Sequence, residues 1–194
     1  MQNVFFLKEA LVNLDKNISL VVLNQKQLKP SIDFAIETIL AQKKYSIIFV
    51  SMSGPGEEIL QKVNKNYFGR IVIIDAFSKD PNTYFSSIIS VNNASDLTNI
   101  QIAVERAEKK VPGETVIIFD ALNVMAIYNK REVLGKFLHL FSNKTRLEEN
   151  SAIIFTINES TDQKIIDLAK EFSDKVYDYS STYVSTIALA DEKA

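Results

Sequence analysis

Few side chains in this chain are of types that do chemistry, and their spacing narrows what that chemistry is. Between an apolar run ending at Leu23 and a helical pattern near Ile32 lies 24-NQKQLKPS-31, which carries two cations, Lys26 and Lys29, and the hydroxyl of Ser31. Beside a helix start these groups could touch an anion, because the first turn has unpaired N–H groups and the positive end of the dipole. The plainer reading is a solvated loop. Asp75 ends the run RIVIID and Asp120 ends VIIFD. A carboxylate at a strand end either helps to hold a cation or caps the amides of the following turn. Ser53-Gly54-Pro55-Gly56 is rich in glycine, but Glu57 and Glu58 follow at once and would repel a phosphate, which favours a tight turn. Asp33 and Glu37 share a helix face at i, i+4, as a metal or acid pair would; with no matching ligands nearby, solvent exposure is expected. Tyr67, Phe68 and Arg70 have the composition of a base-stacking platform, or of a loop that packs its own aromatics. His139, in FLHLF, is expected as a packed or half-buried helix residue.

Composition removes several classes. The 194 residues include one histidine and no cysteine, so disulfides, thiolate metal sites and histidine-rich metal sites are excluded. There is no G-x-S-x-G elbow and no G-x-G-x-x-G, and a Ser-His-Asp triad would have to use His139 in its apolar setting. Net charge is −2, with no basic stripe, which makes nucleic acid an unexpected partner. No apolar run approaches the ~18–20 residues that span a bilayer. MQNVFFLKEALVNLDKN lacks the features of a signal peptide, and its Val4, Leu7, Leu11, Leu14 spacing is helical. A cytoplasmic protein with no membrane partner, forming one domain over 1–194, is expected.

The elements that must position these residues alternate. Apolar, β-branched runs at Leu20–Leu23, Ile47–Met52, Ile71–Ile74, Ile88–Val91, Val116–Phe119 and Ile153–Ile157 are mostly continuous, the mark of parallel strands buried on both faces. Helical patterns separate them at Ile32–Gln42, Glu57–Asn64, Asp96–Lys110, Lys130–Thr145 and Thr161–Phe172. Pro55 suits a first helical position, Ser95 a cap, and Ser160 with Gln163 a capping box. Pro112-Gly113 stops the fourth helix and turns the chain. Tyr183–Leu189 reads as a short edge strand before a tail. The pattern predicts an α/β fold built from βαβ units, with a mostly parallel central sheet.

In strand–loop–helix order, 24-NQKQLKPS-31 occupies the place of a phosphate-binding P-loop, G-x-x-x-x-G-K-[ST]. Asn24 and Lys29 stand where the glycines belong, Pro30 stands where the lysine belongs, and Ser31 alone agrees. The run 114-ETVIIFDALNVMAIYNKREVLGKFLHLFSNKTR-146 resembles the Walker B region of RecA-like ATPases of the KaiC type. The order FVSMSGPGEEIL, RIVIIDAF, SDLTNIQIAVERA, VIIFDAL, AIIFTINES resembles the same group over nearly the whole chain. The chain thus resembles archaeal KaiC/RecA-like proteins, in particular degenerate members without a working P-loop.

That resemblance implies a RecA-like three-layer α/β/α sandwich. It places Asp120 at the Walker B aspartate, which holds Mg²⁺ through water, and Asn24, Lys29 and Ser31 at a vestigial nucleotide site. It also implies that a Glu-Glu pair after the second strand, which would activate water, is replaced by Ser53-Gly54. The expectation is a pseudo-ATPase with no catalytic residue, serving as a protein-interaction or regulatory module with a protein partner or a homo-oligomer. No cofactor is expected, with Mg·ATP left open by an alternative: a nucleotide- or anion-binding sensor without efficient hydrolysis. A partner of DNA recombination is a third reading, against which the charge balance counts.

Overall fold

The computed structural model describes residues 4–12, 14–78 and 85–181. A 3₁₀ turn (Phe5–Leu7) leads into α1 (Lys8–Val12), followed by β1 (Ile18–Leu23), α2 (Leu28–Ala41), β2 (Tyr45–Ser51) and α3 (Gly56–Lys62). A 3₁₀ turn (Lys65–Arg70), β3 (Ile71–Asp75), β4 (Ile88–Ser90), α4 (Leu97–Glu108) and β5 (Glu114–Phe119) come next. Then follow α5 (Leu122–Tyr128), α6 (Arg131–Leu147), β6 (Ser151–Ile157), a 3₁₀ turn (Asn158–Ser160), α7 (Gln163–Glu171) and β7 (Lys175–Asp178).

The seven strands form one sheet in the order β4-β3-β2-β5-β6-β1-β7, and every described pairing is parallel. The five inner strands are buried almost without a break, which is why they read as continuous apolar runs. Their side chains still alternate. Leu20, Val22, Ile48, Val50, Ile117 and Phe119 face one core with α4 to α7. Val21, Leu23, Ile47, Phe49, Val116 and Ile118 face the other with α1 to α3. The α/β/α sandwich is therefore as expected. Near the end of β5, Phe119 meets Phe137 and Phe141 of α6 edge-on, at centroid distances of 6.0 and 5.0 Å, a geometry that suits ring quadrupoles. This packing fixes the strand end that carries Asp120.

Several boundaries differ from expectation. α2 starts at Leu28, not Ile32, so Lys29, Pro30 and Ser31 are in its first turn. Proline is tolerated there because a first-turn N–H has no intrahelical partner. Pro55 is the residue before α3, not its first residue. α4 is capped by Asp96, whose carboxylate accepts from the Asn99 N–H, rather than by Ser95. α7 is capped by Asp162, which accepts from the Lys164 N–H, rather than by a Ser160–Gln163 box. In both cases the carboxylate is the stronger acceptor and suits the dipole. α5 and β7 were not anticipated. Gly113 has φ +76°, and a Cβ there would lie 2.6 Å from the Lys44 carbonyl oxygen, so the turn into β5 requires glycine. The edge strand expected at Tyr183–Leu189 lies outside the described residues.

Candidate functional site

The crevice at the carboxyl ends of the parallel strands is where α/β sheets bind ligands. Here it is bounded by the loop after β1, the loop after β2 and the end of β5. The residues from Asn24 to Ser31 form a turn that engages its own amides. The Asn24 N–H donates to Gln27 Oε1 at 2.8 Å, and the N–H groups of Lys26 and Gln27 both donate to Asn24 Oδ1 at 3.1 Å. The Gln27 N–H also reaches the Asn24 carbonyl at 3.0 Å, and the Ser31 N–H donates to the Gln27 carbonyl at 3.0 Å. Gln27, almost fully buried, ties the turn to the end of β7 by donating from Nε2 to the Tyr179 carbonyl at 3.2 Å. A phosphate cradle needs successive amides that point outward and are unpaired. In this turn they point inward, onto the Asn24 side chain.

Ser31 is fully buried, and its Oγ has no hydrogen-bond partner among the described residues. Lys29 is exposed and lines a cleft of about 140 Å³, together with Asp33, Ser53, Glu58, Lys62 and Asp120. Lys26 is exposed and does not line that cleft. Of the expected site residues, Lys29 and Asp120 therefore meet in one cleft, while Asn24 and Ser31 serve the turn and the helix start.

Asp120 is buried, and both of its oxygens are engaged. Oδ1 accepts from the Met52 N–H at 2.9 Å. Oδ2 accepts from the Ser53 N–H at 3.1 Å and the Ser53 hydroxyl at 2.7 Å. It thus caps the loop of the neighbouring strand β2 as well as standing before α5. Burial pushes its carboxyl up from 3.8 to about 6, against the Ser53 hydroxyl and the Met52, Ser53 and Ala121 amides, which all pull it down. Asp75 acts from the other side of β2. Its carboxylate accepts from the N–H groups of Gly56, Phe77 and Ser78 and from the Ser78 hydroxyl, at 2.8 to 3.0 Å. Gly56 must be small, because a Cβ would lie 2.7 Å from Ile73 Cγ2. The Ser53–Gly56 stretch is therefore a tight turn held between two carboxylates, with Ser51 Oγ donating to the Gly54 carbonyl at 2.7 Å.

The remaining candidates take structural roles. Asp33 is not free in solvent but pairs with Lys62 at 3.0 Å, joining α2 to α3, while Glu37 is exposed. Arg70 donates to the carbonyls of Gln42 and Tyr45 and lies over the Tyr67 ring at 5.6 Å. Tyr67 and Phe68 pack against the core. His139 is exposed rather than half-buried, edge-on to Phe172 at 5.9 Å and within 3.1 Å of Asn143. A larger depression of about 460 Å³ between α2 and the Lys65–Arg70 turn does not include Asp120. Among the described residues no three His, Asp or Glu side chains converge on a metal position, and no helix is long and apolar enough to cross a membrane. Sequence reasoning missed Gln27 and Met52, the partners that bind Asn24 and Asp120; neither carries a local signal.

This donor set does not suit Mg·ATP. The amides of the turn are occupied, both Asp120 oxygens accept hydrogen bonds, and about 140 Å³ is below the ~300 Å³ at which small-molecule pockets begin.

No protein-family model matches the chain, and a search of curated proteins gives no match. Solved structures do resemble it. A KaiC-like protein of the hyperthermophilic archaeon Pyrococcus horikoshii superposes with a TM-score of 0.61 at 13% identity, covering 88% of this chain and 76% of that one. An uncharacterised Pyrococcus horikoshii protein, solved in complex with an unknown peptide, gives 0.64 at 13% identity over 84% and 77%. The ATPase domain of a helicase gives 0.51 at 10% identity over 84% and 69%. At these identities the likeness is one of architecture: the chain has the RecA-like α/β fold shared by KaiC-like proteins and helicase ATPase domains.

Proposed function

We propose that this chain is a catalytically inactive RecA/KaiC-like domain, a pseudo-ATPase that acts as a protein-interaction or regulatory module. The observation that carries the reading is the turn at Asn24–Gln27, whose side chains take up the amides a phosphate would need. Two sequence features support it. Pro30 stands in place of the P-loop lysine, and Ser53-Gly54 stands in place of a water-activating carboxylate. Phosphoryl transfer depends on positioning and charge stabilisation together, so losing cradle, cation and base removes every contribution. Ser53 also gives Asp120 a hydroxyl partner at 2.7 Å, which turns that carboxylate toward the loop.

One observation favours a second reading. The exposed Lys29 and the ammonium of Lys62 both line the small cleft beside Asp120, which suits an anion sensor better than a nucleotide enzyme. A thermal-shift titration with Mg·ATP, Mg·ADP, Mg·GTP and inorganic phosphate separates the two, since a ligand that binds only the folded state stabilises it. The pseudo-ATPase module predicts no shift at millimolar nucleotide. A saturable shift lost in Lys29→Ala would move the reading to the sensor. Mg²⁺-dependent ATP turnover abolished by Asp120→Ala would overturn both.

A further inference from the structure

The sheet ends on one side at β4, and this edge is unlike the interior. The Ile73 N–H donates to the Ser87 carbonyl and the Val91 N–H to the Asp75 carbonyl, each at 2.8 Å. In a parallel ladder successive residues turn their backbone groups to opposite sides, so Ile88 and Ser90 face away from β3. The Ile88 N–H is taken by the Phe85 carbonyl at 3.0 Å. The Ile88 carbonyl and both backbone groups of Ser90 are left on the outer side, where no strand pairs among the described residues. β4 has none of the usual guards of an edge: its residues are Ile88, Ile89 and Ser90, with no proline and no charge.

Depressions adjoin this edge. One of about 220 Å³ lies between β4 and α4, lined by Ile89, Val91, Asn99, Ile102 and Arg106. Another of about 570 Å³, at the start of the strand, is lined by Phe68, Ile71, Phe85 and Lys110 among others. The charges of α4 are segregated. Glu105 pairs with Lys144 at 3.4 Å and Glu108 accepts from Asn150 at 2.8 Å. Ile102, Arg106 and Lys110 follow one another at i, i+4. Both cations are exposed, and neither has a carboxylate partner among the described residues.

We propose that the β4 edge with the Ile102–Arg106–Lys110 stripe of α4 is a docking surface for an extended, acidic segment of a partner protein. Unpaired edge groups recognise extended backbone by strand addition, and flanking depressions select alternate side chains. One side of the segment would place apolar groups against Ile89 and Ile102. Its carboxylates would meet Arg106 and Lys110, the charge that the surface lacks. The surface lies two strands from β2, so it does not depend on whether the nucleotide cleft is silent.

The test is fluorescence anisotropy with a labelled peptide in which valine alternates with glutamate, beside one with lysine in place of glutamate. The glutamate peptide should bind saturably, more tightly at low salt, and the lysine peptide should not. The double variant R106E/K110E should weaken binding roughly tenfold, as two exposed ion pairs of opposite sign would. Ser90→Pro removes an outward N–H that the β3 ladder does not use, so it should weaken binding while the thermal midpoint stays put. Failure of the glutamate peptide to bind, equal binding of the lysine peptide, or indifference to R106E/K110E would overturn the proposal. Tighter binding of single-stranded DNA would reassign the stripe to nucleic acid. Self-association lost in Ser90→Pro would show that a second copy takes the edge, which also refutes a partner's acidic segment.

Discussion

Asp120 gives a prediction whose sign is decided by the structure. Its carboxyl is buried and held near pH 6, above its ordinary 3.8, because desolvation outweighs the three donors from Met52 and Ser53. Folding raises this pKa, so the folded protein holds the proton more tightly than the unfolded chain. The stabilisation that accompanies the proton is fully present below 3.8 and is lost as pH rises through about 6. At 1.36 kcal/mol per pH unit, the full difference is about 3 kcal/mol, and between pH 4.5 and 7.5 about 2 kcal/mol of it is lost. Asp120→Asn keeps the shape but does not titrate, so it subtracts every other group. Urea unfolding of both proteins at several pH values measures the difference directly. The wild type should lose about 2 kcal/mol relative to the variant from pH 4.5 to 7.5. A difference that stays constant with pH refutes the reasoning. A difference of the opposite sign would mean that the three donors outweigh burial, and that the loop after β2 is held most firmly by the ionised carboxylate.

Three further substitutions test the surroundings of that loop. Ser31→Ala removes a buried hydroxyl that has no partner, so stability should hold or rise by up to about 1 kcal/mol, read by chemical denaturation; a clear loss would show that the hydroxyl has a partner in solution. Gly56→Ala places a methyl 2.7 Å from Ile73 Cγ2 and 3.2 Å from Asp75 Cβ, and should cost about 1–3 kcal/mol through overpacking while the fold persists by circular dichroism. Gly113→Ala must adopt φ +76° and meet the Lys44 carbonyl oxygen at 2.6 Å, so its thermal midpoint should fall by more than that of an exposed-helix alanine control, with a cost of about 2 kcal/mol or more.

The inner strands were legible because each is buried on both faces and reads as an unbroken apolar run such as Ile47–Val50 or Ile71–Ile74. α5 was not, because LNVMAIY has no polar face to set a helical period and no capping side chain before it. β7 was missed because KVYD alternates at a sheet edge and lacks the continuous apolar run of its neighbours. At the site, the sequence places Asp120 and Asp75 at strand ends. It does not say which amides they reach, since that depends on β2 lying between β3 and β5. The self-closure of the Asn24 turn is partly local, as asparagine commonly accepts from amides two and three residues on. Its anchor through Gln27 to Tyr179 spans 152 positions and leaves no local trace.

The loop after β2 links these features. Its first residues are held by Asp120 from β5 and its last by Asp75 from β3, so carboxylates on both neighbouring strands point sideways into one turn rather than outward into the crevice. That arrangement depends on Ser53, whose hydroxyl supplies one of the contacts to Asp120, and on Gly56, which lets α3 approach β3. The turn after β1 closes independently through Asn24 and Gln27. Two separate loops thus satisfy their polar groups internally, and a buried polar group left without such a partner costs roughly 1–3 kcal/mol. Restoring a lysine at position 30 alone would leave both loops in their present hydrogen-bonded states. Opening the site requires breaking the Asn24 turn and the Ser53–Asp120 contact together, which makes the closed crevice a stable state of this fold and shifts binding to its outer surfaces.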